Sequence, residues 1–594
     1  LNASVFLAAM NRWVILLLPL FYGAIFWDWI IQRYLPFVDR GAVVTLAAMV
    51  AGFTAFTQSE RLKNLRLRWR AHWWIFLLLT LLLFGLVYQP ELPYLRSHFN
   101  TLLATRRDVS SGKFIFVDTL SQYGVGVVYF LLAVFRCLRL PIAYPGLAFV
   151  LNGLYILQFI LLFLILYRAT KNIFISLAGL AGVLYFAYFA VSWPSILHIP
   201  AQSPLRYGMT YLLLGVGWIG MSRTGRIWRI VELVLIGAAS AWSLEVLLYT
   251  VLPLDALLFI GGVLYSDQRK TGLRDFGKRL LLQIGVILFC WSAWWAATAI
   301  AAGQPPNLLH YADVFAHYTF SDRNGPRMDF HSFWTGVTAA IYLGTILAVI
   351  FTAWKQRSRL PAATAALMAG LSVAGLLQYL YYFVYDLDYH LSLVCTPLVL
   401  VIALWIFISQ NDGTAVGFHP LRRWIFGLTI IVSLWFCMVQ TGWLFNSGIK
   451  NSLIYKITRS WSSEGALVFA NPYRIPPSND TVMTLVTFIQ QYAAGDPSIA
   501  IFAKPEDQTE ALLITRKTHL LDLTDPPIST TSRSFTSHIL MLAERYAGVP
   551  EYIFYDSSEN ALIETQWKAF LLLTARGSYA VVDREGSILV YRKQ

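Results

Sequence analysis

The sequence predicts a polytopic α-helical membrane protein with a water-exposed C-terminal α/β domain, and three observations predict it. The chain of 594 residues is 57% hydrophobic and 13% charged, with a mean hydropathy of +0.57, whereas soluble domains carry about 45–50% apolar and about 25% charged residues. Its apolar residues gather in runs long enough to cross the ~30 Å hydrocarbon core, which takes about 20 helical residues. From residue 447 onward the runs give way to short segments of mixed polarity.

About thirteen spans follow from the runs: 13–32, 41–57, 72–89, 146–167, 173–192, 208–222, 227–245, 248–265, 280–301, 335–354, 361–384, 391–409 and 424–446. The first ends in Trp27 and Trp29 and has no small-x-small cleavage site before the next, so it reads as a span rather than a removed signal. Many Trp, Tyr and Phe stand at run ends, where amphipathic rings settle at headgroup level.

Loop charges choose the orientation. With the N-terminus in the cytoplasm, every short inner loop is basic: Arg61 to Arg70, Arg168 and Lys171, Arg223 to Arg229, Arg269 to Arg279, Lys355 to Arg359, and Arg422 with Arg423. The outer loop 193–207 has only Arg206, and 385–390 has no Lys or Arg. The positive-inside rule then places the chain in a plasma (inner) membrane with residues 447–594 outside, periplasmic or extracellular. The stretch Tyr123 to Leu138 is apolar, but making it a span would put the later basic loops outside. It is expected to be a juxtamembrane helix.

Three segments follow: 1–71, two N-terminal spans and a basic loop; 72–446, the main membrane domain with long outer loops 90–145 and 302–334; and 447–594, the outer domain. In the last, a helix over 480–494, a strand over 498–503, a helix over 532–547, a strand over 552–555, a helix over 560–574 and a hairpin pairing 579–582 with 588–591 predict a small α/β fold. It has no glycine-rich phosphate loop and no nucleophile elbow.

The formal charge of +14 lies in short clusters between apolar runs, as orientation requires, which argues against nucleic acid as a partner. Cys137, Cys290, Cys395 and Cys437 lie in or beside apolar segments without metal-ligand spacing, so neither a disulfide framework nor a zinc site is expected.

Candidate chemistry gathers on the outer face. Loop 90–126 carries Glu91, His98, Arg106, Arg107, Asp108, Lys113 and Asp118 just before the juxtamembrane helix. An enzyme working on a lipid phosphate needs such a place: cations pair with phosphate, a carboxylate takes a proton, and an apolar groove holds the tail. The bland alternative is an ordered loop with solvated charges. Glu245 near the outer end of span 227–245 and Asp255 in the next span are acids in apolar surroundings, which point to function or, for Glu245, to a headgroup-level helix end. Arg206 is a phosphate contact or a snorkelling cation, and Arg323 lies in the outer loop 302–334. Asp386, Asp388 and His390 could align as metal ligands, but a solvated turn explains them as well; no metal or cofactor is expected.

Gly112, Phe116-Val117-Asp118 and Tyr123-Gly124-Val125-Gly126, together with the alternation of basic inner and long outer loops, resemble the GT-C superfamily of membrane glycosyltransferases, which includes protein O-mannosyltransferases and the aminoarabinose transferase of lipid A. The resemblance covers roughly residues 72–446. It implies transfer of a sugar from a polyprenyl-phosphate carrier to an acceptor glycan, lipid or protein outside the cytoplasm, with Asp118 matching the downstream acid of the first outer loop. One departure stands out. The acidic pair that supplies the base in the superfamily would fall at Ser97-His98, and neither is a carboxylate. Three readings follow: His98 is the base, as an imidazole pKa of roughly 6.5 permits; Glu91, Asp108 or Asp118 is; or the chain is a non-catalytic scaffold subunit with a membrane-complex partner. A transporter of lipid-linked saccharides would show an inverted repeat and mid-span charges, and neither is evident in the sequence.

Overall fold

The computed structural model describes residues 69–87, 96–119, 121, 123–140, 142, 144–184, 204–222, 225–309, 312, 333–355, 360–384, 395–411, 480–521, 533–558 and 564–594. The expected spans 13–32, 41–57 and 424–446 lie outside these residues, as do Glu91, Arg323 and the Asp386–His390 turn.

Each of the remaining ten expected spans overlaps a helix among the described residues. α1 is Trp69–Val87 and is followed by two shorter helices, α2 (Arg96–Ser110) and α3 (Gly126–Cys137). Then come α4 (Tyr144–Thr170), α5 (Ile173–Val183), α6 (Pro204–Ser222), α7 (Arg226–Trp242), α8 (Leu244–Phe259), α9 (Arg269–Ala302), α10 (Phe333–Lys355), α11 (Ala362–Val384) and α12 (Thr396–Asn411). Among the described residues, four helical stretches are long and apolar enough to cross a membrane: 146–170, 244–264, 269–302 and 362–379. α8 packs between α6 and α11 and buries Leu254, Leu257 and Leu258. α9 stands at the edge and turns Leu281, Phe289 and Ile300 outward. In water such a surface would aggregate; against lipid tails it needs no cover.

One boundary differs from expectation, and it moves a candidate residue. The span 227–245 ends at Trp242, because Ser243 is fully extended (φ −164°, ψ 158°) and breaks the helix. The Ser243 hydroxyl accepts the Val246 N–H at 3.0 Å and so caps the start of α8. Glu245 therefore sits in the first turn of α8 rather than at the end of α7. There a carboxylate meets the positive end of the helix dipole.

The described C-terminal elements form a three-layer α/β fold. They are α13 (Asp480–Tyr492), β1 (Ser498–Phe502), α14 (Pro505–Thr515), β2 (Thr518–His519), α15 (Arg533–Arg545), β3 (Tyr552–Asp556), α16 (Glu564–Thr574), β4 (Tyr579–Glu585) and β5 (Ile588–Lys593). The sheet order is β2-β1-β3-β5-β4, with β1 parallel to β2 and β3 and the β4–β5 hairpin antiparallel. Strand alternation builds both layers. Ile499 and Ile501 of β1 pack with Val482, Leu485 and Ile489 of α13. Ala500 and Phe502 join the core containing Ile539 of α15 and Phe570 of α16. α14 and β2 were not expected from the sequence.

Candidate functional site

The site is built where the segment between α1 and α4 meets the break between α7 and α8. Arg206, in the first turn of α6, pairs with both carboxylate oxygens of Glu245, and the Tyr249 hydroxyl donates to Glu245 Oε1 at 2.8 Å. The pair is half-buried, with side-chain exposures of 15% for Arg206 and 26% for Glu245. The Tyr207 and Tyr249 rings lie 5.8 Å apart below it, and the guanidinium of Arg206 stands over the Tyr207 ring at 5.9 Å. Trp242 fixes the junction by donating from its indole N–H to the Leu205 carbonyl at 2.7 Å.

The glycine turn of the loop presses on this junction. Gly124 has φ +84°, and a Cβ there would fall 1.9 Å from the Trp242 carbonyl oxygen. A Cβ on Gly126 would lie 2.8 Å from Trp242 Cα. Backbone meets backbone, which only glycine allows. The ring of Phe130 in α3 then meets Trp242 at a tilt, 5.0 Å between centroids.

Upstream, α2 ends at Ser110 and the chain reverses through Gly112 at φ +99°. Asp118 Oδ2 accepts the Phe114 N–H at 3.0 Å and closes the next turn. Phe116 adopts φ +61°, a conformation costly for a bulky residue by about 1–3 kcal/mol. Three contacts hold it there: its N–H donates to the Thr119 carbonyl at 2.7 Å, its carbonyl accepts the Asn307 N–H at 2.8 Å, and its ring meets Trp294 of α9 edge-on at 6.1 Å. The loop bearing Asp118 is thus tied both to the α7–α8 junction and to the C-terminal end of α9.

The expected cations among the described residues do not converge. Arg106 is fully buried in α2 and donates to the carbonyls of Leu102 and, at 3.2 Å, Val127. Burial pulls its guanidinium down to about 9, and it braces α2 against α3 rather than meeting a lipid. Arg107 donates to the Arg516 carbonyl at the end of α14. Lys113 pairs with buried Asp108 at 3.2 Å and donates to the His519 carbonyl at 2.7 Å. Asp108 also accepts the Thr119 hydroxyl at 3.3 Å. Arg107 and Lys113 therefore join the loop to the C-terminal domain, and Asp108 is consumed in that joint. His98 lies in the first turn of α2.

Among the described candidates two pairs touch: Lys113 with Asp108, within the joint to the C-terminal domain, and Arg206 with Glu245, with Asp118 presented from the loop packed on the α7–α8 junction. Tyr249 was missed by sequence reading. Its place one turn after Glu245, at i+4 on the same helix face, was the available clue. No group of three or more His, Cys, Asp or Glu side chains suited to a metal occurs among the described residues.

These features define a helical bundle with an ion-paired carboxylate at one end, under an ordered loop, on the face that also carries the C-terminal domain. No protein-family profile and no curated protein sequence matches the chain. Among solved structures it is similar to ArnT from Cupriavidus metallidurans bound to undecaprenyl phosphate, at 12% identity and a TM-score of 0.47, covering 88% of this chain and 98% of that one. It is similar to the same protein in the apo state at 14% identity and a TM-score of 0.45, with the same coverage. An oligosaccharyltransferase from Archaeoglobus fulgidus, in complex with Zn and sulfate, is similar at 10% identity and a TM-score of 0.41, covering 86% and 72%.

Proposed function

We propose that the chain transfers a sugar from a polyprenyl-phosphate donor to an acceptor hydroxyl at the extracytoplasmic face of the membrane. The observation that carries this reading is the Arg206–Glu245–Tyr249 group, held against the Gly124–Gly126 turn of the loop that bears Asp118. In the absence of donor, Arg206 and Glu245 neutralise each other. A lipid phosphate competes for the guanidinium and releases the Glu245 carboxylate from its ion pair. Glu245 then accepts the proton of the acceptor hydroxyl, whose oxygen attacks the anomeric carbon. The bond from that carbon to the phosphate oxygen breaks, and the departing phosphate keeps the electron pair, stabilised by Arg206. A single displacement inverts the configuration. Asp118, from the adjoining loop, orients the sugar or acceptor.

The test supplies purified protein with radiolabelled polyprenyl-phosphate sugars and follows release of the lipid phosphate. Wild type is compared with Glu245→Gln, Asp118→Asn and His98→Ala. Turnover lost in Glu245→Gln and kept in His98→Ala supports this assignment. Loss in Asp118→Asn alone moves the base into the loop. No turnover with any donor in wild type leaves the scaffold reading.

A further inference from the structure

We propose that the end of the bundle opposite the Arg206–Glu245 pair binds anionic phospholipid headgroups on the extended start of α9. This helix has 34 residues, about 51 Å at 1.5 Å per residue, against a hydrocarbon core of ~30 Å. Its C-terminal part is fixed at the outer face by Trp294 against Phe116. The excess length therefore projects from the other face. There Arg269, Lys270, Arg274, Lys278 and Arg279 precede an uncharged run that begins at Leu280.

Register makes this more than a basic loop. Lys270, Arg274 and Lys278 follow at steps of four, each turning the helix by about 40°, so they form one stripe. Leu281 and Leu288 continue the same stripe at 70% and 62% exposure. A lipid lying along this face sets its acyl chain on the leucines and its phosphate on the cations. Neighbouring α7 adds the exposed Arg226 and Arg229. Arg229 and Arg279 both face the buried Glu232, which joins the two basic helix ends into one patch. Asp267 and Asp275 lie on the same stretch, and the cations outnumber them. Orientation of the chain needs positive charge in this loop but not charge aligned above lipid-facing leucines; attraction to an anionic headgroup uses both.

The experiment is a lipid-retention measurement on the full chain. Protein is solubilised with equimolar phosphatidylglycerol and phosphatidylcholine, and the co-purifying lipids are quantified by mass spectrometry. Wild type is expected to enrich phosphatidylglycerol about tenfold or more, and high salt should erode the enrichment. The triple variant Lys270→Gln/Arg274→Gln/Lys278→Gln is expected to retain both lipids equally. A charge-matched control on the C-terminal domain, Lys568→Gln/Arg576→Gln/Lys593→Gln, should behave as wild type. Undiminished enrichment in the α9 variant, or equal retention of both lipids by wild type, overturns the proposal. The wild-type salt titration needs no variant to fold.

Discussion

Arg206 of α6 and Glu245 of α8 meet in an ion pair although 39 residues separate them in the chain. Each occupies the first turn of its helix, so both stand at the same end of the bundle. In a half-buried pair desolvation offsets much of the Coulombic gain, so the net contribution to stability is small, about 0–1 kcal/mol, with somewhat more from the Tyr249 hydrogen bond. Its placement under the loop is better explained by chemistry than by folding energy. Glu245→Gln keeps the side-chain shape and an acceptor for Tyr249 but removes the base. The expected result is a fall in kcat of about 10²–10⁴ with little change in thermal stability. Arg206→Gln should both raise KM for the lipid-linked donor and lower kcat, because Arg206 holds the phosphate in the ground state and as it departs, with partial recovery in Arg206→Lys. Steady-state kinetics on the two variants separates the roles.

Gly124→Ala tests whether loop placement matters. The added Cβ would sit 1.9 Å from the Trp242 carbonyl oxygen, at φ +84°. Neither backbone can yield without moving the loop or the α7–α8 junction. A stability loss of about 1–3 kcal/mol is expected, together with a fall in turnover larger than that in Gly112→Ala. Gly112 shares the left-handed conformation, with φ +99°, but has open space around its Cβ position. Equal effects of the two substitutions would show that backbone strain, rather than contact with the junction, decides the outcome.

Lys113 connects the loop to the C-terminal domain through Asp108 on one side and the His519 carbonyl on the other. Lys113→Met keeps the aliphatic stem and removes the charge, leaving a buried carboxylate whose described partner is the Thr119 hydroxyl. Hydrogen exchange should rise in both residues 96–119 and 504–521, with the rest of the C-terminal domain unchanged. The stability cost is expected at about 1–3 kcal/mol, because Lys113 retains some solvent contact.

The bundle was legible because long apolar helices announce themselves by length and composition, and the helices at the ten described positions required no knowledge of tertiary contacts. Ser243 shows the limit. A serine within an apolar run does not reveal whether it caps a helix or sits inside one, and that choice decides which helix owns Glu245. The Arg206–Glu245 contact was equally hidden, since no local pattern joins residues so distant in sequence. Arg106, Arg107 and Lys113 resembled phosphate ligands because charge type is visible in sequence while burial and domain contacts are not. α14 escaped for another reason. Asp507, Gln508, Thr509 and Glu510 are polar yet buried, so the helix lacks the apolar period that reveals others. Pro505 at its first turn, followed by Glu506 and Asp507, was the clue available.

His519 gives the C-terminal domain a defined response to acid. Its Nε2 is 2.6 Å from the Ile501 carbonyl, and its Nδ1 accepts the Leu521 N–H at 2.8 Å. These partners assign the neutral form with the proton on Nε2. A second proton on Nδ1 would set two donors face to face in a buried site. Burial pushes the imidazole down to about 3; the Lys113 charge adds to this, while the Ile501 carbonyl opposes it. An unfolded histidine titrates near 6.5, so the unfolded chain binds the extra proton first. The stability from neutral His519 is complete above about pH 6.5 and is lost as pH falls from there toward 3. By pH 5 the loss is about 2 kcal/mol. Because Lys113 holds the His519 carbonyl, the joint with the outer loop should loosen over the same range. His519→Asn keeps an acceptor for Leu521 and cannot titrate. Its melting temperature should start lower at pH 7.5 and vary less between pH 7.5 and 5 than that of wild type. Parallel pH profiles for the two proteins would assign the acid sensitivity to another group.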